Sequence, residues 1–508
     1  VPQWPKTSEF SEKNMSHHDD ASAAKEESEA KANVAEPKKR QLLGLEPVVT
    51  HHQLELKGRT LAYTATCGVI PLKDEFGEIE AEVFFTAYTL DGGHDSAERP
   101  LTFAFNGGPG SASIWLHMGA LGPKRVVMQD EGWMPAPPYD LEPNEGTWLD
   151  FTDLVFVDPV GTGFSRASKD EFDKKFWSVK GDVESVGEFI RLYLTRHARW
   201  DSPLFLAGES YGTTRAAGLA GHLVDKGIAF NGIVLVSTAL NLRPIFFEQG
   251  DDLPFQLFVP TYAATAWYHH QLDDELQQRD LPDLLAEVEA WSENEYTAAL
   301  MQGDRLDPAQ TESVAKSLAR YTGLDLDYVR GSNLRIDIYR FCKELLRYEK
   351  RSVGRLDSRF KGVEGLAVTE KPEFDPSNTS SLPPFMSAFM TYVREELGVE
   401  TDMSYQPLSE AVNEKWAWEK GELPYTGEAL RSAIAKNPYM KTFVAQGYFD
   451  LATPHFATQY MLTHMNVDPE LRSNITTRFY EAGHMFYLDR RSLEAFRGHV
   501  AEFVKQSS

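Results

Sequence analysis

The sequence predicts an α/β fold, with a mostly parallel central sheet, helices on both faces and a large helical insertion. Three observations predict it. Short apolar runs at 101–106, 154–158, 204–207 and 233–237 alternate with helical stretches, the pattern of parallel strands joined by crossovers. Gly208-Glu209-Ser210-Tyr211-Gly212 sits where one such strand must become a helix. Two further strand-like runs, 442–447 and 475–480, resume after a long interval of helical periodicity.

Along the chain, residues 1–45 are polar and charged without sustained apolar periodicity and read as a disordered tail. His17-His18-Asp19-Asp20 lies there, without the surroundings a metal site needs. Residues 46–240 form the first part of the core, opening with an antiparallel meander over 50–91. The stretch 241–435 reads as a helical lid. It shows helical periodicity at 284–301, 309–320 and 334–350, and Asp307 is placed to cap the second of these. Aromatic residues gather early in it (Phe246, Phe247, Phe255, Phe258, Tyr262, Trp267, Tyr268); most are expected to pack the lid on the core and a few to line a substrate pocket. Residues 436–508 complete the core and end in an amphipathic helix, 492–505, with Leu493, Phe496, Val500 and Phe503 on one face.

A serine between two glycines at a strand-to-helix junction is the nucleophile elbow of α/β-hydrolases, so the expected fold is that of an α/β-hydrolase. The glycines let neighbouring backbones pass, and the hydroxyl is pushed out at the strand's carboxyl end. A serine hydroxyl needs a base, and the base needs a carboxylate to orient it. In this fold they follow in the order serine, acid, histidine. Asp450 and His484 lie in that order just past the two late strands. A third piece, Asn106-Gly107-Gly108-Pro109-Gly110, ends a strand in a glycine-rich turn. No Gly-Lys-Ser/Thr follows it, so an oxyanion hole shared with the N–H of Tyr211 is a better reading than a phosphate cradle.

Asn-Gly-Gly-Pro-Gly, Pro159-Val-Gly-Thr-Gly-Phe-Ser165, Gly-Glu-Ser-Tyr, a late aspartate and Gly-His-Met together resemble the serine carboxypeptidases, peptidase family S10, from about Asn106 to Met485. The resemblance implies Ser210 as nucleophile, His484 as base and Asp450 as its orienter, with the N–H groups of Gly108 and Tyr211 as the oxyanion hole. It also implies that Asn106, Gly107 and Glu209 help hold the substrate's terminal carboxylate and that Met485 lines the leaving-group pocket. No metal or organic cofactor is implied. Three positions depart from the family pattern. Ala120 stands where a second glutamate is usual, Ser111 replaces a cysteine, and Gly212 replaces an alanine, a change that a tight elbow should tolerate. Close carboxyls raise each other's pKa, so losing one predicts a weaker carboxylate clamp and an optimum less acidic than about pH 4. His117, three residues before Ala120, is a candidate replacement cation.

Size and charge bound the rest. At 508 residues with 42 % hydrophobic content, the chain can bury a large core, and its net charge of −25 argues against nucleic acid or an anionic membrane as partner. No apolar run approaches the length that spans a bilayer. Two cysteines, Cys67 and Cys342, cannot make a disulfide framework, unlike the disulfide-rich secreted members of the family. The chain therefore resembles a bacterial-type relative with an expected cytoplasmic location, or a secreted or periplasmic one if a signal has been removed ahead of Val1. Met15 is an alternative start, and the sequons at Asn378 and Asn474 matter only in a secretory context. The expected partner is a peptide substrate, with a homodimer left open as the assembly. The expected activity is hydrolysis of C-terminal residues through an acyl-enzyme on Ser210. An esterase, amidase or acyltransferase using the same triad is the alternative that Ala120 keeps open.

Overall fold

The computed structural model describes residues 38–508 apart from 93, 94, 96 and 419–422. The strands of its main sheet are β1 (Val48–Leu56), β2 (Arg59–Lys73), β3 (Ile79–Leu90), β4 (Leu101–Phe105), β5 (Asp153–Val157), β6 (Leu204–Ser210), β7 (Gly232–Thr238), β8 (Lys441–Gly447) and β9 (Ile475–Tyr480). They lie in the order β1-β2-β3-β5-β4-β6-β7-β8-β9, and a short strand, Arg166–Ala167, pairs with β3. The first three strands and the β3–β5 pair are antiparallel; from β5 to β9 every pairing is parallel.

Buried side chains alternate across the parallel strands, as a sheet covered on both faces requires. Phe103, Phe105, Leu204, Leu206, Ile233 and Leu235 enter one apolar layer, where helices α1 (Val179–Arg196) and α2 (Tyr211–Val224) supply Phe189, Ile190 and Leu219. Ala104, Phe205, Ala207, Val234 and Val236 enter the opposite layer. There the last helix, α3 (Arg490–Ser507), buries Leu493, Phe496, Val500 and Phe503, the face read from its period. The α/β-hydrolase architecture follows.

The lid differs from its sequence reading. Helices from Leu253–Tyr268 through Ile338–Glu344 form an apolar cluster of their own around Phe258, Tyr262, Leu284, Leu318 and Phe341. Helix Pro376–Glu395 instead packs Phe385, Phe389 and Tyr392 into the sheet's own core, and Gly427–Lys436 packs Leu430 and Ile434 into the opposite layer. The earlier helices of 241–435 thus mostly bury one another, with Leu257 reaching the sheet's layer, whereas the later helices carry apolar faces that the sheet covers. Asp307 caps Pro308–Thr322 by accepting from the N–H groups of Ala309 and Gln310. The helix expected over 334–350 is only Ile338–Glu344, since Asn333 and Leu334 take φ of 50° and 64°, which no right-handed helix accommodates.

Residues 38–45 of the expected tail are instead fixed to the core. Residues 1–37, including Met15 and His17-His18-Asp19-Asp20, lie outside the described residues. Arg40 forms a two-pronged ion pair with Asp173, Gly44 N–H donates to Glu82, and Leu43 and Leu45 pack on the core. Among the described residues no helix is long and apolar enough to cross a membrane.

Candidate active site

Ser210 closes β6 and takes φ 60° and ψ −128°, a conformation that costs a non-glycine residue of order 1–3 kcal/mol. The flanking glycine makes this turn feasible. A Cβ on Gly208 would lie 2.2 Å from the carbonyl oxygen of Gly212, backbone that cannot swing aside. Gly208→Ala should therefore destabilise the protein by more than about 4 kcal/mol, at the extreme of single substitutions. Thermal melting checks this against Gly498→Ala, on the open face of α3, where nothing lies within 4 Å of the added methyl and the helix should gain roughly 0.5–1 kcal/mol. Similar melting temperatures for the two variants would contradict the geometry.

The turn after β4 is pressed against the elbow. A Cβ on Gly107 would stand 2.4 Å from the backbone nitrogen of Tyr211, so only glycine allows the approach. Gly108 follows at φ 102°. The loop is held from below by Arg215, fully buried, which pairs with Asp182 (Nε to Oδ2, 2.8 Å) and donates from Nη1 to the carbonyl of Asn106 at 2.7 Å. Its guanidinium also lies over the rings of Phe105 and Tyr211. The backbone nitrogens of Tyr211 and Gly212, which begin α2, lie against this turn, and a helix N-terminus favours negative charge.

His484 and Asp450 meet at the ends of β9 and β8. Nδ1 of His484 lies 2.7 Å from Oδ2 of Asp450. The carboxylate also accepts from the N–H groups of Ala452 and Thr453 on Oδ1, and from Thr453 Oγ1 and Gln446 Nε2 on Oδ2. Burial pulls the imidazole's pKa down, but the charge and hydrogen bond of Asp450, with help from Glu209, more than offset it and leave it raised. The His484 loop is pinned on three sides. Its N–H donates to Leu356 O, its carbonyl accepts from Ser237 Oγ, and Gly483 N–H donates to Asp357, itself paired with Arg359.

Glu209 is buried, and burial raises its pKa to about 7. Tyr487 Oη donates to its Oε2 at 2.6 Å. Next to it, Asn106 accepts the N–H of Leu116 on Oδ1, while its buried Nδ2 lies near Glu209 and Tyr487 without a well-aligned hydrogen bond among the described residues.

These groups surround two joined chambers. One is lined by Asn106, Gly107, Glu209, Trp115 and Met485; the other by Tyr211, Phe246, Phe247 and Leu451. Ser210, His484 and Gly108 line both. The second is roomier, about 400 Å³ against about 160 Å³. No hydrogen bond joins Ser210 Oγ to the imidazole here; such bonds in catalytic sites tighten when substrate binds. All nine sequence-predicted site residues therefore gather at the carboxyl ends of β4, β6, β8 and β9, the edge where open α/β sheets bind ligands.

One expectation fails. His117 does not offer a cation in place of the glutamate missing at Ala120. It is buried, bonded to Tyr88 Oη at 2.7 Å and stacked on Phe156, and burial lowers its pKa to about 3. Ala120 is buried and lines neither chamber. Sequence reading also passed over Gln446, Thr453, Tyr487 and Arg355. Gln446 and Thr453 sit within four residues of Asp450, a signal that could have found them; Tyr487 and Arg355 carry no local signal.

The model of the family described as serine carboxypeptidase matches residues 75–500. Serine carboxypeptidase-like 2 of Arabidopsis thaliana is 31 % identical over 151 residues, 28 % of this chain and 33 % of that protein. The pheromone-processing carboxypeptidase KEX1 of Saccharomyces cerevisiae is 31 % identical over 161 residues, 28 % of this chain and 20 % of that protein. The chain thus spans a third or less of the length of these curated relatives. The crystal structure of a KEX1 prohormone-processing carboxypeptidase from Saccharomyces cerevisiae superimposes with a TM-score of 0.54 at 18 % identity, covering 87 % of this chain and 91 % of that one, a likeness of fold.

Proposed function

Because the chain belongs to the serine carboxypeptidase family, peptidase S10, we propose that it removes C-terminal residues from peptides through an acyl-enzyme on Ser210. The observation that carries this reading is the gathering of Ser210, an Asp450-bonded His484 and a buried, readily protonated Glu209 around one divided cavity. In the proposed cycle, His484 takes the proton from Ser210 as the oxygen attacks the scissile carbonyl. Asp450 holds the proton on Nδ1 and stabilises the imidazolium. The N–H groups of Gly108 and Tyr211 receive the developing oxyanion, and each such donor contributes about 3 kcal/mol to the barrier's reduction. His484 gives the proton to the leaving amine, then activates the water that releases the acyl group. The roomier chamber takes the acyl-side residue and the smaller one the leaving residue, with Met485 in its wall.

Glu209 supplies the carboxyl selectivity. Below about pH 7 it is neutral and can donate to a substrate carboxylate; above that it is an anion and repels one. The alkaline limb of kcat/KM for free-acid dipeptides is therefore expected near pH 7, and the acid limb follows protonation of His484. Glu209→Gln, neutral at every pH, should remove the rise of KM above neutrality. The test compares a blocked dipeptide acid with its C-terminal amide and a simple ester across pH. A strong preference for the acid supports the peptidase, while equal rates favour the esterase, amidase or acyltransferase reading.

The cytoplasmic location expected from the scarcity of cysteines draws no support from the matched relatives. What supports a fold independent of oxidising conditions is that Cys67 and Cys342 are buried and unpaired.

A further inference from the structure

Arg355 occupies a position that the proposed cycle does not use. Its side chain is half-buried and lines both chambers, alongside Ser210 and His484. Almost every other arginine near the site is consumed by a carboxylate or a carbonyl: Arg215 by Asp182, Arg359 by Asp357. Among the described residues, the Arg355 guanidinium has neither a hydrogen bond nor an ion pair. Its backbone, by contrast, is firmly held. Its N–H donates to Asp375 Oδ1 at 3.2 Å, its carbonyl accepts from Leu451 N–H, and the next residue, Leu356, binds both Ser377 Oγ and the His484 N–H.

The nearby acids do not pair with this guanidinium. Asp375 lines the smaller chamber, and its Oδ1 accepts from the N–H groups of Arg355 and Ser377 and from Ser377 Oγ rather than from the guanidinium. Asp337 lines the larger one and caps its own helix through Tyr339 and Arg340. Glu209 is neutral below about pH 7. Lys371, on the rim, leans over the ring of Tyr339. A guanidinium that lines both chambers and is engaged by neither neighbouring carboxylate is free to bind an anion from outside, and its planar fork fits a carboxylate.

We infer that Arg355 recognises a carboxylate on the leaving residue of the substrate, working with Asn106 Nδ2 on the wall of the smaller chamber. This rests on the peptidase reading for the name of the substrate, not for the site itself. The carboxylate has two chemical sources, the terminal α-carboxylate or an acidic side chain on the same residue.

Isothermal titration on the Ser210→Ala protein separates them without turnover. Dipeptides ending in Phe, as acid and amide, test the α-carboxylate; dipeptides ending in Glu and Gln, both as acids, test the side chain. At least one pair should differ by about tenfold or more in Kd, and adding Arg355→Gln should collapse that ratio. Arg355→Lys should restore part of it, and circular dichroism and thermal melting should show the variants folded. A ratio unchanged by Arg355→Gln, or no discrimination in either pair, overturns the inference. If Arg355-dependent binding appears but the unmodified enzyme cleaves no dipeptide, the anion site stands and the peptidase reading falls.

Discussion

Ser210→Ala is expected to lower kcat about a million-fold, the cost of removing the nucleophile from a serine hydrolase, while leaving the melting temperature in place. The structure gives reasons for both halves. The positive φ of residue 210 belongs to the turn, and alanine bears the same Cβ, so the strain stays as it was. The carbonyl of residue 210 still accepts from Thr213 Oγ1 at 2.7 Å, and Gly107 still meets the backbone of Tyr211. Only the hydroxyl that faces both chambers is lost. Steady-state kinetics and labelling by an organophosphonate check the result; a variant within about a hundredfold of the parent would mean that another group attacks.

Asp450→Asn should cost about ten-thousandfold in kcat with KM little changed. The hydrogen bonds around residue 450 dictate how the amide sits. Two backbone N–H groups, of Ala452 and Thr453, donate to Oδ1, so the amide oxygen must take that side. Its NH2 then faces Thr453 Oγ1, Gln446 Nε2 and His484 Nδ1, where a carboxylate oxygen had accepted. The imidazole can only accept there, which moves its proton to Nε2 and leaves no lone pair for the Ser210 hydroxyl. The clash with Gln446 adds a stability cost of about 1–3 kcal/mol for the unsatisfied donor. A loss below about a hundredfold would show that Asp450 does not set the tautomer.

How far the sequence could be read depends on how local each signal was. The elbow was legible because its chemistry needs glycine at fixed offsets from the serine, and the strand before and helix after it punctuate themselves. Asp450 and His484 were legible because each follows a short apolar run by a few residues. The lid's internal division was not, since the helices of 241–435 share one periodicity whichever surface buries them. His117 misled for a similar reason: helical spacing placed it near Ala120, but spacing says nothing about Tyr88 and Phe156, which arrive from other strands and keep it neutral.

The sequence alone therefore determined the α/β-hydrolase architecture and the order of the candidate reacting groups along it, both of which rest on short-range patterns of backbone permission and apolar period. The tertiary structure alone decided the electrostatics. It buried Glu209 beside Tyr487 from 278 residues away, pinned the His484 loop on the segment around Leu356, and set Arg355 in the cavity wall without an ion pair among the described residues. Such terms come from which distant side chains share a low-dielectric space, and no local rule of the chain encodes that.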